Sequence, residues 1–376
     1  MRLILFMTWD ISLALWKEKG LLQREIKLYQ ALAQKGVDVT FFSWGGGEDR
    51  EIAKTLLPEI KVVPIYDYIP FSKFKVLRAV YSLIAPFALR KYIRQADILK
   101  TNQIWGGWVA VIASILFRKP LIARCGFELY DFTCRQKHGA LRRSFIWFIS
   151  RVTYGMSNHI CVASKEDKDF IIKNFGQKSK KISIHPNWID TDFFSPQNIE
   201  KKENHILFVG RLSEQKNLPM LIDALKGSDF ILDIVGCGEL KQDLENLAKN
   251  NNVKVNFLGL LPNDELPNIY NSYPVFVLPS YYEGNPKTLL EAMACGVAVI
   301  GTDVSGISSV IKHEQNGLLS NLNPSDLRDA IDRLMADNTL RIKLGGAARK
   351  QITDNQTLDK LVSKELACYK IIRNEI

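Results

Sequence analysis

The chain has 376 residues, too many for one hydrophobic core and enough for two domains of ordinary size. With 47% apolar and 24% charged residues it is soluble globular material, which excludes a disordered or fibrous chain. The net charge of +10 sits in the first half alone: residues 1–200 hold 30 Lys and Arg against 18 Asp and Glu, the remainder 20 against 22. Such an excess suits a phosphate-bearing substrate or an anionic membrane surface. No zinc spacing, aromatic RNA-binding signature or DNA-reading helix is present, so nucleic acid is not an expected partner. The six cysteines (Cys125, Cys134, Cys161, Cys237, Cys295 and Cys368) show neither CxxC pairing nor metal-ligand spacing and read as reduced structural thiols. The opening MRLILFMTWD is too short for a cleaved leader and reads as a buried strand. No clean apolar run approaches the ~20 residues that cross a bilayer. A cytoplasmic protein is expected.

In chain order, Leu3–Met7 predicts a first strand, Leu21–Lys35 a helix entered through Gly20 and closed by Gly36, and Val37–Phe42 a second strand. Alternation continues with strands at 60–63, 96–99, 121–123, 159–163 and 181–185. Between them lie helical stretches at 72–94, 106–118, 140–154 and 165–174. A polar linker, Ser195–Asn204, precedes a second series: strands at 205–209, 230–235, 253–257, 275–278 and 297–301, with helices between. Helices at 324–336, 339–351 and 358–372 end the chain. Regular βα alternation in both halves, without a sequence period, predicts two doubly wound α/β domains rather than a repeat array.

Two stretches carry chemistry. In FVLPSYYEGNPKTLLEAMACG (276–296) an apolar strand breaks at Pro279, crosses a loop with Glu283, Gly284, Asn285 and Pro286, and enters a helix from Thr288. Ligands of open α/β sheets bind at such a strand end, where helix N-termini present free N–H groups. Seven residues separate Glu283 from Glu291, so both carboxylates can face one polyhydroxylated ligand, or else Glu291 stiffens its helix and Glu283 is a solvated loop acid. The second stretch, Phe208-Val-Gly-Arg-Leu-Ser-Glu-Gln-Lys-Asn217, sets Arg211 and Lys216 on one strand-to-helix loop. From there a planar fork and a point charge both reach one pyrophosphate.

Glu-Gly-x-Pro followed after three residues by Leu-Glu-Ala-Met-Ala-Cys-Gly resembles the signature of the family-four retaining glycosyltransferases (glycosyl transferases group 1), and Gly-Arg-Leu-x-x-x-Lys-Asn resembles their diphosphate clamp. The resemblance implies a GT-B protein: two Rossmann-like doubly wound domains facing a cleft. Residues 1–186 would form the acceptor side and 187–355 the nucleotide-sugar domain, with the terminal helix of 356–376 returning to the first. It implies transfer of a hexosyl group from a nucleoside-diphosphate sugar to an acceptor hydroxyl, with no other cofactor and no metal. Arg211 and Lys216 would neutralise the leaving diphosphate, Glu283 would orient the donor sugar and Glu291 the ribose. Gly284, Asn285, Pro286, Lys287 and Thr288 would line the donor site, Gly259, Leu260 and Leu261 the nucleobase, and Gly20 would let the donor phosphate approach the first long helix.

In the first half the stretch Arg124-Cys-Gly-Phe-Glu128 lacks the family's histidine near Gly126. His138, His159 and His185 read as structural, and Arg124 and Glu128 are either acceptor-side or sugar-side residues or a structural pair. Asp190-Thr191-Asp192 has the letters of a metal motif but falls in the crossing that follows Pro186-Asn187-Trp188, where the family uses it structurally. The basic, aromatic segments Lys73–Arg94 and Arg135–Arg151 either lie on an anionic membrane or are solvated outer faces of core helices. A lipid-linked or lipopolysaccharide-type glycan acceptor, met by a peripheral protein at the inner face of the cytoplasmic membrane, follows from the first alternative. Other readings are a silent sugar-nucleotide-binding subunit of a membrane assembly, or a nucleotide-sugar epimerase of the same fold.

Overall fold

The computed structural model describes residues 1–136 and 139–374, so His138 lies outside the described residues. The chain divides into two compact units, Met1–Pro186 with Leu361–Ile376, and Asn187–Lys360. The first unit holds a seven-stranded parallel sheet: β1 (Arg2–Phe6), β2 (Asp38–Ser43), β3 (Lys61–Pro64), β4 (Ile98–Thr101), β5 (Leu121–Cys125), β6 (His159–Val162) and β7 (Ile182–Ile184), in the order β3-β2-β1-β4-β5-β6-β7. The second holds β8 (His205–Val209), β9 (Ile231–Val235), β10 (Lys254–Gly259), β11 (Val275–Leu278), β12 (Ala298–Thr302) and β13 (Leu318–Ser320), ordered β10-β9-β8-β11-β12-β13. Both are doubly wound, because strand order reverses beside the first strand of each sheet. Four-residue runs such as Val275–Leu278 are buried throughout, as parallel strands covered on both faces must be.

The structure departs from the sequence-predicted elements in the first unit above all. Helices Leu13–Glu18, Gly47–Leu56 and Leu129–Arg135 were not predicted, being short segments whose caps are a serine, a glycine and a glutamate. The expected helix over 72–94 is three pieces, Lys75–Ser82, Ala85–Ala88 and Arg90–Ile93. Pro86 stands at the start of the second, where its missing N–H does least harm, so it opens a new helix instead of continuing the old one.

The last helix, Leu358–Asn374, joins the first unit from Leu361 onward. Its Glu365 is fully buried, 2.5 Å from Lys100 Nζ on β4 and 3.0 Å from His185 Nδ1. Burial alone would raise its carboxyl pKa, but the two cationic partners outweigh that and hold it well below the usual range. An ion pair of this kind tells against removing either partner singly more than it adds net stability.

Candidate functional site

In the second unit β8 and β11 are paired neighbours, so the loops that leave their carboxyl ends emerge side by side at the point where strand order reverses. The loop after β8 passes Arg211 and forms a single 3-10 turn, Glu214–Lys216; the loop after β11 carries Ser280 to Pro286. They are stitched together. Tyr281 N donates to Gln215 O at 2.9 Å, Gln215 Nε2 donates to Tyr282 O at 2.8 Å, and Lys216 Nζ is ion-paired with Glu283 Oε1. Ser280 Oγ donates to the same oxygen at 2.6 Å. Lys216 and Glu283, from separate motifs, thus form one unit whose side chains are mostly enclosed. Arg211 is exposed, and its guanidinium makes no hydrogen bond or ion pair among the described residues.

Helix Lys287–Ala294 begins beside this pair with Pro286 as its N-cap residue and no side-chain cap, so Lys287 and Thr288 form an uncapped first turn. Gly284 is held from behind by Gly306, where any Cβ would collide with the carbonyl oxygens of Glu283 and Gly284. Only glycine fits there, and the reading of the sequence missed it. Asn285 does not point freely to a ligand: its Oδ1 accepts from Asn187 N at 2.9 Å and its carbonyl from Asn187 Nδ2 at 2.6 Å. Asn187 therefore braces the loop, a role its place in the crossing segment did not reveal.

Glu291 lies elsewhere. It is 1% exposed and its Oε2 accepts from Tyr270 Oη at 2.9 Å, so the two carboxylates seven residues apart have different protein partners. Gly259 ends β10 and accepts from Gly236 N at 2.8 Å; Leu260 after it is exposed, whereas Leu261 turns onto the core. Asp190 Oδ1 accepts from Phe193 N at 3.1 Å and Arg349 donates to Thr191 O at 2.8 Å, so Asp190 shapes a turn here.

The first unit treats its expected residues differently. Gly20 has φ +65° and closes the unpredicted helix Leu13–Glu18, its N–H donating to Lys17 O, with open space around it. It ends one helix just before the next, Leu22–Gln34, begins, and so makes the turn between them. Arg124 reaches Asn102 O at 3.4 Å; burial opposes its charge, but Tyr29, Glu25 and Glu365 nearby outweigh that. Glu128 does not pair with it. Its Oε2 accepts from Asp131 N at 2.6 Å, capping helix Leu129–Arg135, and its Oε1 accepts from Tyr154 Oη at 3.2 Å. Burial pushes the Glu128 carboxyl up to about 7, and that of Asp167, which accepts from Glu128 N at 3.0 Å, up to about 6.

At the first unit's own reversal point, after β1 and β4, stand tryptophans. Trp9 lies with its ring centroid 5.9 Å from Trp105, 5.8 Å from Trp108 and 6.5 Å from Trp44. Trp9 N donates to Trp105 O at 3.1 Å, binding the two loops, and the buried Trp9 Nε1 has no hydrogen-bond partner among the described residues. Edge-to-face indoles of this kind hold each other rigidly. The tryptophans are separated in sequence by up to 99 positions, and no spacing signalled them.

Residues 190–351 match the family described as glycosyl transferases group 1, and residues 26–193 match glycosyltransferase family 4. The chain is 33% identical over 230 residues to an uncharacterised glycosyltransferase of Methanocaldococcus jannaschii, across 58% of this chain and 59% of that protein's length. It is 30% identical over 315 residues to the UDP-Gal:alpha-D-GlcNAc-diphosphoundecaprenol alpha-1,3-galactosyltransferase of Escherichia coli, across 78% of this chain and 79% of the other. Sucrose-phosphate synthase from Thermosynechococcus elongatus superposes with a TM-score of 0.81 at 19% identity, over 100% of both chains.

Proposed function

Because the chain belongs to the glycosyl transferases group 1 and has the GT-B fold, we propose that it transfers a hexosyl group from a nucleoside-diphosphate sugar to a hydroxyl of a lipid-linked glycan, with retention of anomeric configuration. The observation that carries the donor half is the ion pair of Lys216 with Glu283 at the carboxyl ends of β8 and β11, with Arg211 on the same loop as Lys216, beside an uncapped helix start. In this reading the diphosphate draws Lys216 from Glu283 and takes Arg211 as its second cation. Each charge-assisted contact contributes roughly 1.5–3 kcal/mol. Glu283, released and ionised, accepts hydroxyl hydrogen bonds from the sugar. As the glycosidic bond breaks, negative charge grows on the diphosphate, and the two cations it has recruited, with the helix N–H groups, supply the main catalytic stabilisation. A phosphate oxygen of the leaving group takes the acceptor hydroxyl's proton on the same face, so no resident metal is assigned a step.

The acceptor half rests on the first unit and on the diphosphoundecaprenol substrate named for the Escherichia coli relative. Residues 68–96 contain no Asp or Glu but six Lys and Arg. Phe74, at the N-cap, and Val76, Val80 and Phe87, in the helices over 75–88, are exposed, as are Leu141, Phe145 and Phe148 of helix Ala140–Met156. Among the described residues no helix is long and apolar enough to cross a membrane. Apart from Arg78, which pairs with Asp10 at 2.8 Å, these cations flank the apolar side chains at the surface and suit an anionic bilayer, with roughly 1 kcal/mol per Lys or Arg near it.

The test is transfer from a panel of UDP-, GDP- and ADP-sugars to a short-chain polyprenyl-diphosphate GlcNAc, with the anomeric configuration of the first product read by NMR. A lengthened lipid-linked glycan with the donor's configuration is expected. An inverted product contradicts the mechanism, and turnover of nucleotide sugar to its epimer without acceptor contradicts the reaction. Co-sedimentation with anionic vesicles, falling with salt and on changing Arg142 and Arg143 to Glu, is the parallel result expected for the membrane contact.

A further inference from the structure

Away from the reaction site, the first unit gathers sulfur and imidazole donors on one face of its sheet. His159 and Cys161 are two residues apart on β6, so their side chains leave the strand on the same side. Cys368 of the last helix packs against them, and the three ligand atoms lie within 4.8 Å of one another. Both thiols are buried, Cys161 at 1% and Cys368 at 6% exposure. His185, just after β7, brings its Nε2 to 3.8 Å from Cys161 Sγ, while its Nδ1 lies 3.0 Å from Glu365 Oε1. A carboxylate set behind one ring nitrogen is the arrangement that orients the other toward a metal. Ser183 Oγ, 2.8 Å from His159 Nε2, lines the same place.

The geometry points to a binding site for a borderline-to-soft cation of the Zn²⁺ class, held by Cys161, Cys368 and His159, with His185 as the fourth ligand. Two sulfurs and two imidazoles match the donor preference of that cation. Metal–sulfur bonds of ~2.3 Å in a tetrahedron place donors ~3.7 Å apart, so His159, Cys161 and Cys368 close by about 1 Å from their widest separation, and His185 joins them from beside Cys161. Uptake forms two metal–thiolate bonds and releases the two thiol protons to solvent, together with the Nε2 proton of His185, which is a cation while it pairs with Glu365 alone. Divalent cation and two thiolates then sum to zero and Lys100 still offsets Glu365, so the buried group ends without net charge. Cys161 and Cys368 are far apart in the chain, which is why cysteine spacing gave no sign of the group; the structure joins them through the last helix. A bound ion ties that helix to β6 and stabilises the first unit by mass action.

The test uses the full chain, reduced and stripped by chelator, titrated with Co²⁺ and then Zn²⁺. A thiolate-to-Co²⁺ charge-transfer band with the visible bands of a tetrahedral site is expected, saturating at one ion per chain and displaced by Zn²⁺. It is expected to vanish in Cys161→Ser and Cys368→Ser and to persist in Cys237→Ser, whose thiol is exposed. Zn²⁺ is expected to raise the Tm of the wild type and not that of Cys368→Ser. His159→Ala, at the partly exposed start of β6, keeps the test open if the cysteine variants fold poorly; Co²⁺ affinity is expected to fall by more than about tenfold. Absence of the charge-transfer band, its survival in Cys368→Ser, or oxidation of the pair to a disulfide with no metal uptake by the reduced chain overturns the proposal.

Discussion

At the reversal point of the second sheet, after β8 and β11, the loops gather Arg211, Lys216 and Glu283; at the same place in the first sheet, after β1 and β4, they gather Trp9, Trp105 and Trp108. One topology therefore supports two chemistries. The charged version holds its anion with a cation already in place, whereas the acids of the first unit, Glu128 and Asp167, are buried among neutral hydrogen-bond donors. Paired charge suits a ligand that brings more charge and exchanges with it. A rigid aromatic cluster suits a partner read by shape and apolar contact.

The largest effect expected from this contrast concerns Glu128. Its folded value of about 7 lies above its ordinary 4.5, so the folded chain keeps a proton that the unfolded chain has released. The destabilisation is absent below the ordinary value and complete above about 7. Glu128→Gln, which keeps one acceptor oxygen, is expected to gain on the wild type as pH rises from 4 to 8, by up to about 3 kcal/mol at 1.36 kcal/mol per unit. Urea unfolding of both proteins across that range checks it. The mirror case is the clamp: Lys216→Ala or Arg211→Ala is expected to lower nucleotide affinity and turnover on the order of ten- to hundred-fold each, without any such pH-dependent gain.

How much was visible beforehand follows the same division. Arg211, Lys216 and Glu283 lie in short contiguous stretches, and phosphate chemistry dictates cations at a strand end, so both stretches could be read before any coordinates. Their mutual ion pair could not, because it depends on β8 and β11 being neighbours. Gly306 and Asn187 act through close approach and bracing across 22 or more residues, with no local pattern. Spacing left Glu291 either facing the ligand or stiffening its helix, and gave no sign of the bond from Tyr270 that the fold brings to its Oε2. The helix Leu13–Glu18, held by its Ser12 cap, was not anticipated, so the turn that Gly20 makes between two helices was not either. In the first unit the tryptophans meet only through the sheet, and composition alone cannot say which of seven will cluster.

Smaller effects sharpen the contrast further. Trp105→Ala is expected to raise the acceptor KM by about tenfold or less, the scale of ~0.5–1.5 kcal/mol for an aromatic contact, and to leave nucleotide binding unchanged. Equal loss of both would show that the two reversal points do not divide donor from acceptor. Gly20→Ala, at positive φ in open space, is expected to lower stability by roughly 1 kcal/mol through backbone strain while activity is kept. The smallest effect is expected from EDTA, which should leave transferase activity intact, since the donor diphosphate is assigned to Arg211, Lys216 and helix N–H groups.

The central claim is that the Lys216–Glu283 pair at the ends of β8 and β11 is the diphosphate site. Calorimetric titration of UDP into the wild type, Lys216→Ala and Trp105→Ala, at fixed ionic strength, tests it most directly. One site per chain is expected in the wild type, with affinity unchanged in Trp105→Ala and reduced ten- to hundred-fold in Lys216→Ala, or about 1.4–2.7 kcal/mol. If UDP, GDP and ADP all bind Lys216→Ala as tightly as the wild type, the diphosphate does not rest on this pair and the account is wrong.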